Sequence, residues 1–103
     1  MPDYLVVDEV ITDPDAFVDY KRAVLPTIVS HGGRFLARGG AMEIVEAGGR
    51  WNPDRLVIVE FPSMEALKAW YDSADYAPAR DIRLRAAKST VVALEGIAAA
   101  PEA

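Results

Sequence analysis

Four segments of the chain have the apolar pattern and composition of β-strands. The first is YLVVDEVI, which is rich in β-branched residues and ends at the turn sequence TDPD, so a strand is predicted over residues 4 to 11. The other three are RFLAR, RLVIVEF and TVVALEG. AMEIVEA follows RFLAR and is predicted to continue in extended form, with Gly39 and Gly40 acting as a bulge in one long strand or as a turn between two short ones. GGRWNPD is then predicted to form a hairpin turn, because it is rich in Gly, Asn and Pro.

Apolar residues at helical spacing lie between the first two strands. These residues are Phe17, Tyr20, Val24 and Ile28. The spacing predicts a helix that buries one face. Thr12 or Asp13 is expected to cap its N-terminus, with Pro14 in the first turn, where a missing N–H costs no hydrogen bond. Pro26 predicts a kink or an early end, and Gly32 is expected to close the helix in the left-handed conformation.

A second helical region follows RLVIVEF. Ser63 is expected to cap it, and Leu67, Trp70 and Tyr71 share one helical face. APARDIRLRAAKS predicts a further helical segment that leads into the last strand. We therefore expect a single domain over residues 1–96. The tail 97–103 is expected to be flexible, because little in IAAAPEA can hold it against the domain.

The order of these elements is βαββαβ, which predicts an α+β fold of the ferredoxin-like type. In this fold a four-stranded antiparallel sheet carries both helical regions on one face. The predicted strands are nevertheless apolar on both faces: in the first strand Leu5 and Val7 alternate with Val6 and Val10. Because a sheet covered on one side should expose polar residues on the other, the second face needs a cover. A second copy of the chain is the simplest cover, so a homodimer is predicted.

Length, charge and cysteine content narrow the classes of protein. A chain of 103 residues suits one domain with its own core. Sixteen acidic against eleven basic residues give a net charge of −5, which disfavours nucleic acid as a partner. The absence of cysteine excludes disulfides and thiolate metal sites and fits a reducing compartment, so a cytoplasmic location is expected. With neither a basic leader nor an apolar run of about 20 residues, we expect an unprocessed protein without a membrane partner.

Four segments together resemble a known family. TDPDAFVDY, HGGRFLARGG, WNPDRLVIVEFPS and AWYDSADYAPARDIR resemble, in order and spacing, a bacterial domain-of-unknown-function family of the dimeric α+β barrel superfamily. The likeness covers nearly the whole chain and implies a ferredoxin-like fold whose two sheets form a barrel across a dimer interface. It implies no established activity. Relatives in the wider superfamily include cofactor-independent oxygenases, lactone isomerases, haem enzymes and ligand-sensing domains, which is an argument from fold alone.

Candidate site residues gather at one end of the predicted sheet, where the second strand begins and the third ends. They are His31, Arg34, Arg38 and Glu60. Glu60 is a candidate catalytic acid or base, because burial at the end of an apolar strand raises a carboxyl pKa. Arg38 is its natural counter-ion, if no change of register places the two on opposite faces. The two residues form either a structural ion pair or a pocket in which Arg38 binds the substrate.

His31 is the only histidine, and it lies beside the end of the first predicted helix. Its expected role is to cap that helix, where its charged form is favoured, and the alternative is a catalytic general base. One histidine and no cysteine give no metal-ligand spacing, so neither a metal nor a cofactor is predicted. A haem held by His31 is the alternative left open.

Three more residues are candidates for substrate binding. Trp70 and Tyr76 belong either to the core or to a pocket wall, and Tyr76 is the better pocket candidate. Arg83 is spaced inward with Tyr76 and is the candidate for anion binding. The other basic residues of its helix are expected to form a solvated face.

Two functions remain open from the sequence. The favoured hypothesis is a homodimeric small-molecule protein, a cofactor-independent enzyme that moves a proton on a planar or carboxylated metabolite, as an isomerase or an oxygenase-like enzyme does. The alternative is a non-catalytic dimeric module that binds a ligand or only assembles, with Arg38 and Glu60 paired for structure. The surroundings of these two side chains distinguish the hypotheses.

Overall fold

The computed structural model describes residues 2–97, which form a four-stranded sheet and three helices. The elements are β1 (Asp3–Ile11), α1 (Pro14–Ser30), β2 (Arg34–Arg38), β3 (Leu56–Phe61), α2 (Met64–Tyr71), α3 (Ala77–Ala86) and β4 (Ala87–Leu94). The strand order is β2-β3-β1-β4, and all three pairs of neighbours are antiparallel. This is the ferredoxin-like arrangement, so the predicted fold class is confirmed. The tail beyond Ile97 lies outside the described residues.

Helix α1 is capped at both ends as its sequence predicts. The Asp13 carboxylate accepts a hydrogen bond from the amide of Ala16 at 3.1 Å and caps the N-terminus. At the other end the Gly33 amide donates to the carbonyl of Ile28 at 2.9 Å, and Gly32 has a φ of +79° that favours glycine. The helix continues past Pro26 to Ser30, so of the two effects predicted for Pro26, a kink or an early end, the early end is wrong.

The segment after β2 differs from the prediction. Residues 39–55 form a loop that contains no strand, so the extended continuation expected for AMEIVEA is wrong. The bulge lies earlier than predicted, because the pairing of β2 with β3 shifts between Phe35 and Ala37 and leaves Leu36 as the extra residue. Gly39 instead ends β2, with a φ of +69°.

The boundary between α3 and β4 also lies earlier than predicted. Strand β4 starts at Ala87, directly after α3, and its first residues pair with the end of β1, Ala87 with Ile11 and Lys88 with Val10. Pairing with a long neighbouring strand therefore overrides the helical pattern of RAAKS. This pairing joins segments that are far apart in the chain, so the local sequence does not show it.

The core lies between one face of the sheet and the helices. The sheet contributes Leu5, Val7, Val57, Val59 and Phe61, all less than 8% exposed. Trp70 of α2 packs against this layer and is 2% exposed. Its indole N–H donates to the hydroxyl of Thr27 at 3.0 Å, so the buried polar atom of the ring is satisfied. Residues 2–97 include no helix that is both long and apolar enough to cross a membrane.

The opposite face of the sheet, which we call the open face, carries apolar side chains and no helix. Val10, Val92 and Leu94 are 48%, 46% and 54% exposed there. Trp51 of the 39–55 loop lies at this face, where its indole N–H donates to the Asp8 carboxylate at 2.8 Å. The apolar second face that the strand pattern predicts is therefore present.

Candidate functional site

A cavity lies between α1 and the sheet. Its floor is apolar and is formed by Leu5, Val7, Val24, Ile28, Val57, Val59 and Trp70. About 30 Å³ is open to the centres of water molecules. This is room for about two waters, so a larger ligand must displace side chains at the mouth. The polar or charged residues that line the cavity are Glu9, Tyr20, Lys21, Arg38 and Arg55.

Glu9 is a buried carboxylate on the cavity side of β1. It follows Leu5 and Val7 at the two-residue period of the strand, which places it on the covered face. Arg55 donates to one carboxylate oxygen at 2.5 Å, and the Ser89 hydroxyl donates to the other at 3.3 Å. The backbone amide of Glu9 also donates to the carbonyl of Arg55 at 3.0 Å. The pair is therefore fixed by backbone and side chain together.

Arg38 is the second guanidinium at the cavity. It donates to the carbonyl of Lys21 at 2.8 Å, and its guanidinium carbon lies 4.1 Å from the centre of the Phe35 ring. Among residues 2–97, no carboxylate lies within ion-pair distance of it. Partial burial and the nearby positive charge of Arg55 lower the pKa of Arg38. A guanidinium in this position is suited to receive an anion.

Tyr20 of α1 brings a phenol to the same cavity. Its hydroxyl lies 3.2 Å from that of Tyr76, which in turn accepts a hydrogen bond from Nε of Arg83 at 3.1 Å. Burial and the negative charge that Tyr76 would carry raise the pKa of Tyr20 above its usual range. The phenol is therefore protonated at neutral pH.

The predicted pairing of Arg38 with Glu60 is wrong. The partner of Glu60 is Arg34, whose Nε lies 2.9 Å from the Glu60 carboxylate. In the ladder Arg34 is opposite Glu60, whereas Arg38 is opposite Val57. Because the bulge at Leu36 lies between the two arginines, Arg34 reaches the open face and Arg38 the cavity. The pair is a surface one, with Arg34 70% exposed and Glu60 23% exposed.

His31 is the C-cap residue of α1. Its Nδ1 lies 2.9 Å from the carbonyl of Thr27, one turn back along the helix. This contact fits the capping interpretation. The structure does not bring His31 or Glu60 to the lining of the cavity, and their catalytic roles stay predictions.

The three remaining candidates lie at or behind the cavity. Trp70 is part of its floor. Tyr76 and Arg83 are 1% and 4% exposed and stand behind Tyr20. The sequence interpretation missed Glu9, Tyr20 and Arg55 as site residues. One signal could have found Glu9, since an acid in the inward phase of an apolar strand is rarely left without a function or a partner.

The family model described as a domain of unknown function, DUF1330, matches residues 2–97. The chain belongs to the DUF1330 family. The resemblance suggested by the sequence segments is thus confirmed at the level of an unknown-function family with a ferredoxin-like fold. A comparison with curated protein sequences gives no significant match.

Solved structures share the fold of this DUF1330 protein. A protein of unknown function from Rhodopseudomonas palustris is 19% identical with a TM-score of 0.74, over 94% of this chain and 83% of the other. A dimeric ferredoxin-like protein of unknown function from Jannaschia sp. CCS1 is 15% identical with a TM-score of 0.70, over 93% and 100%. SnoaB, a cofactor-independent oxygenase from Streptomyces nogalater, is 12% identical with a TM-score of 0.64, over 98% of both chains. At these identities the comparisons show the fold alone.

Proposed function

We propose that this DUF1330 protein is a homodimer that binds a small carboxylated metabolite in the cavity between α1 and the sheet. The observation that carries the proposal is Arg38, a partly buried guanidinium at an apolar cavity with no carboxylate partner among residues 2–97. A ligand carboxylate supplies the missing negative charge. The apolar floor accommodates the carbon skeleton of the ligand.

A dimer is supported by the open face of the sheet. Its exposed apolar residues form a surface that a second sheet can cover. The similar protein from Jannaschia is described as dimeric, which favours the same assembly for this fold. In such a dimer the cavity lies on the opposite side of the sheet from the interface, so each chain holds its own site.

The groups at the cavity also suit proton transfer. The Glu9 carboxylate is the candidate base: it takes a proton from a carbon next to a carbonyl group, and the carbonyl oxygen becomes an enolate oxygen. Arg38 stabilises that negative charge, and return of the proton at the same or another carbon completes an exchange or an isomerisation. The fold shared with SnoaB, a cofactor-independent oxygenase, is compatible with catalysis that needs no cofactor.

The small volume of the cavity favours a second candidate function. Room for about two waters suits a non-catalytic module in which the polar residues are structural. In that case the protein assembles through its open face, and neither binding nor proton exchange occurs at the cavity. The two candidates are separated by one set of measurements.

Binding is tested by thermal shift with acetate, benzoate and the uncharged amide benzamide. We expect the carboxylates, and not benzamide, to stabilise the protein, by about 2.7 kcal/mol at a concentration one hundred times the dissociation constant. Arg38→Gln is expected to abolish this shift, whereas Arg85→Gln, an exposed arginine of α3, retains it. Equal shifts in the wild type and Arg38→Gln contradict the proposed site.

Proton transfer is tested with pyruvate in D₂O. NMR follows the loss of the methyl protons, which exchange only through the enolate. We expect the wild type to accelerate the exchange and Glu9→Gln to remove the acceleration while the melting curve shows a folded protein. Binding of carboxylates without any acceleration supports the non-catalytic module.

A further inference from the structure

Arg83 is a buried guanidinium outside the lining of the cavity. It is 4% exposed, and no carboxylate among residues 2–97 lies within ion-pair distance of it. Its Nε donates to the hydroxyl oxygen of Tyr76 at 3.1 Å. Burying a charge without a counter-ion costs free energy. The groups that Arg83 contacts should therefore show why an arginine is placed here.

The contact with Arg83 favours one direction for the hydrogen bond between Tyr76 and Tyr20. Because a guanidinium can only donate, the Tyr76 oxygen must accept at that end. A charged donor on its oxygen makes the Tyr76 hydroxyl the more acidic of the two phenols, which favours Tyr76 as the donor in its 3.2 Å contact with the Tyr20 hydroxyl. The proton of Tyr20 is then left for a third group.

The position of Tyr20 shows where that third group lies. Tyr20 lines the cavity, and its hydroxyl has no other hydrogen-bond partner among the described residues. Glu9 and Arg38 line the same cavity, so the phenol shares that space with one carboxylate and one guanidinium.

We infer that Tyr20 donates a hydrogen bond to the oxyanion of the ligand in the cavity, and that Arg83, acting through Tyr76, is the positioning residue that directs the phenol proton. This inference rests on the proposed function of the cavity. It adds a neutral donor to the guanidinium of Arg38. The pair suits a carboxylate or an enolate, whose oxygens accept from both a charged and a neutral donor.

The test uses the full-length protein with benzoate as the probe and calorimetric titration as the measurement. We expect Tyr20→Phe to weaken benzoate binding about tenfold, the usual effect of losing a hydrogen bond to a charged group. Arg83→Gln should weaken it about threefold, and this loss should vanish when Tyr76 is already Phe, because the connection is then broken. Arg85→Gln is the control for a change of charge on the same helix.

A second measurement does not need the ligand. In protein labelled with ¹³C at the tyrosine ζ carbon, the Tyr20 signal is assigned by its loss in Tyr20→Phe. We expect Arg83→Gln to move this signal in the wild-type background and not in the Tyr76→Phe background. A purely structural role of Arg83 predicts the same displacement in both backgrounds, which would overturn the positioning role.

The outcomes separate this inference from the proposed function. If Arg38→Gln abolishes benzoate binding and Tyr20→Phe binds as the wild type does, the proposed function stands and the donor role of Tyr20 is wrong. If the wild type binds neither benzoate nor acetate, the proposed function and the donor role of Tyr20 are both wrong. A Tyr20 ¹³C signal that responds to Arg83→Gln only when Tyr76 is present then reports an internal hydrogen-bond chain and no ligand site. If Tyr20→Phe and Arg83→Gln both weaken benzoate binding, and the effect of Arg83→Gln disappears in the Tyr76→Phe background, the inference and the proposed function are both supported.

Discussion

Glu9 and Arg55 form an ion pair inside the protein. Their side chains are 3% and 17% exposed. The backbone amide of Glu9 in β1 also donates to the carbonyl of Arg55, the residue before β3. In such surroundings the attraction between the two charges offsets the cost of removing them from water, and the Glu9 carboxylate, the more buried of the two, is poorly tolerated without Arg55. The pair therefore fixes the Glu9 carboxylate in one position at the cavity.

Arg55→Met is expected to destabilise the fold by about 3 kcal/mol or more, because it leaves the Glu9 carboxylate buried without its partner. Adding Glu9→Gln in the same chain should restore part of this loss. Urea unfolding measures both variants. The control is Arg34→Met, which breaks the exposed pair with Glu60 and should cost less than about 1 kcal/mol. Equal losses for the two arginine variants would show that the Glu9 pair is no more than a surface contact.

At the scale of the elements, Gly39, which directly follows β2, packs against Arg55, a residue that lines the cavity. Its amide donates to the carbonyl of Leu56 at 2.9 Å, and its φ of +69° favours glycine. A Cβ at this position would collide with the guanidinium of Arg55. The turn therefore places the backbone directly against the side chain that holds Glu9.

Gly39→Ala is expected to lower the free energy of unfolding by at least about 1–2 kcal/mol, since alanine is strained at this φ and displaces Arg55. Its matched control is the next residue, Gly40, where an added Cβ meets nothing within 4 Å. Gly40→Ala should change stability by less than about 0.5 kcal/mol. The comparison is made by urea unfolding, and two glycines of equal sensitivity would argue against the contact with Arg55.

At the scale of the whole molecule, one side of the sheet is covered by helices and the other is not. The open face carries exposed aliphatic residues on both β1 and β4, namely Val10, Val92 and Leu94, and the half-buried Val6 lies opposite Val92 in the ladder. This apolar surface is where we expect the proposed dimer to form. Its burial in a stable dimer removes roughly 2,000 Å² or more from water.

The dimer is tested with two substitutions of equal exposure. Val92 on the open face is 46% exposed, and Val18 on the outer face of α1 is 48% exposed. Size-exclusion chromatography with light scattering should give the wild type and Val18→Lys twice the 11.2 kDa mass of one chain at micromolar concentration, and Val92→Lys a mass closer to one chain. A monomeric wild type would rule out the barrel.

Much of the fold could be predicted from local patterns. The Asp13 cap, the glycines after α1 and the alternation in β1 each act over a few residues, so the sequence shows them directly. The bounds of β4 could not be predicted, because Ala87 and Lys88 gain their extended form from pairing with β1. For the candidate site, the sequence predicts Trp70, Tyr76, Arg83 and Arg38 one by one as candidates, whereas the contacts that each side chain makes depend on distant segments and could not be predicted.

By itself, the sequence determined the order of the elements, the covered and open faces of the sheet and the class of fold, because these follow from periodicity and from residues that begin or end helices. Only the tertiary structure decided which charges meet. A single extra residue at Leu36 turns Arg38 toward Glu9 and Tyr20 and leaves Arg34 with Glu60. Side chains alternate with a period of two, so a shift of one residue reverses the face of every later residue in the strand. The position of that shift depends on pairing with β3, which the 17 residues of the 39–55 loop separate from β2.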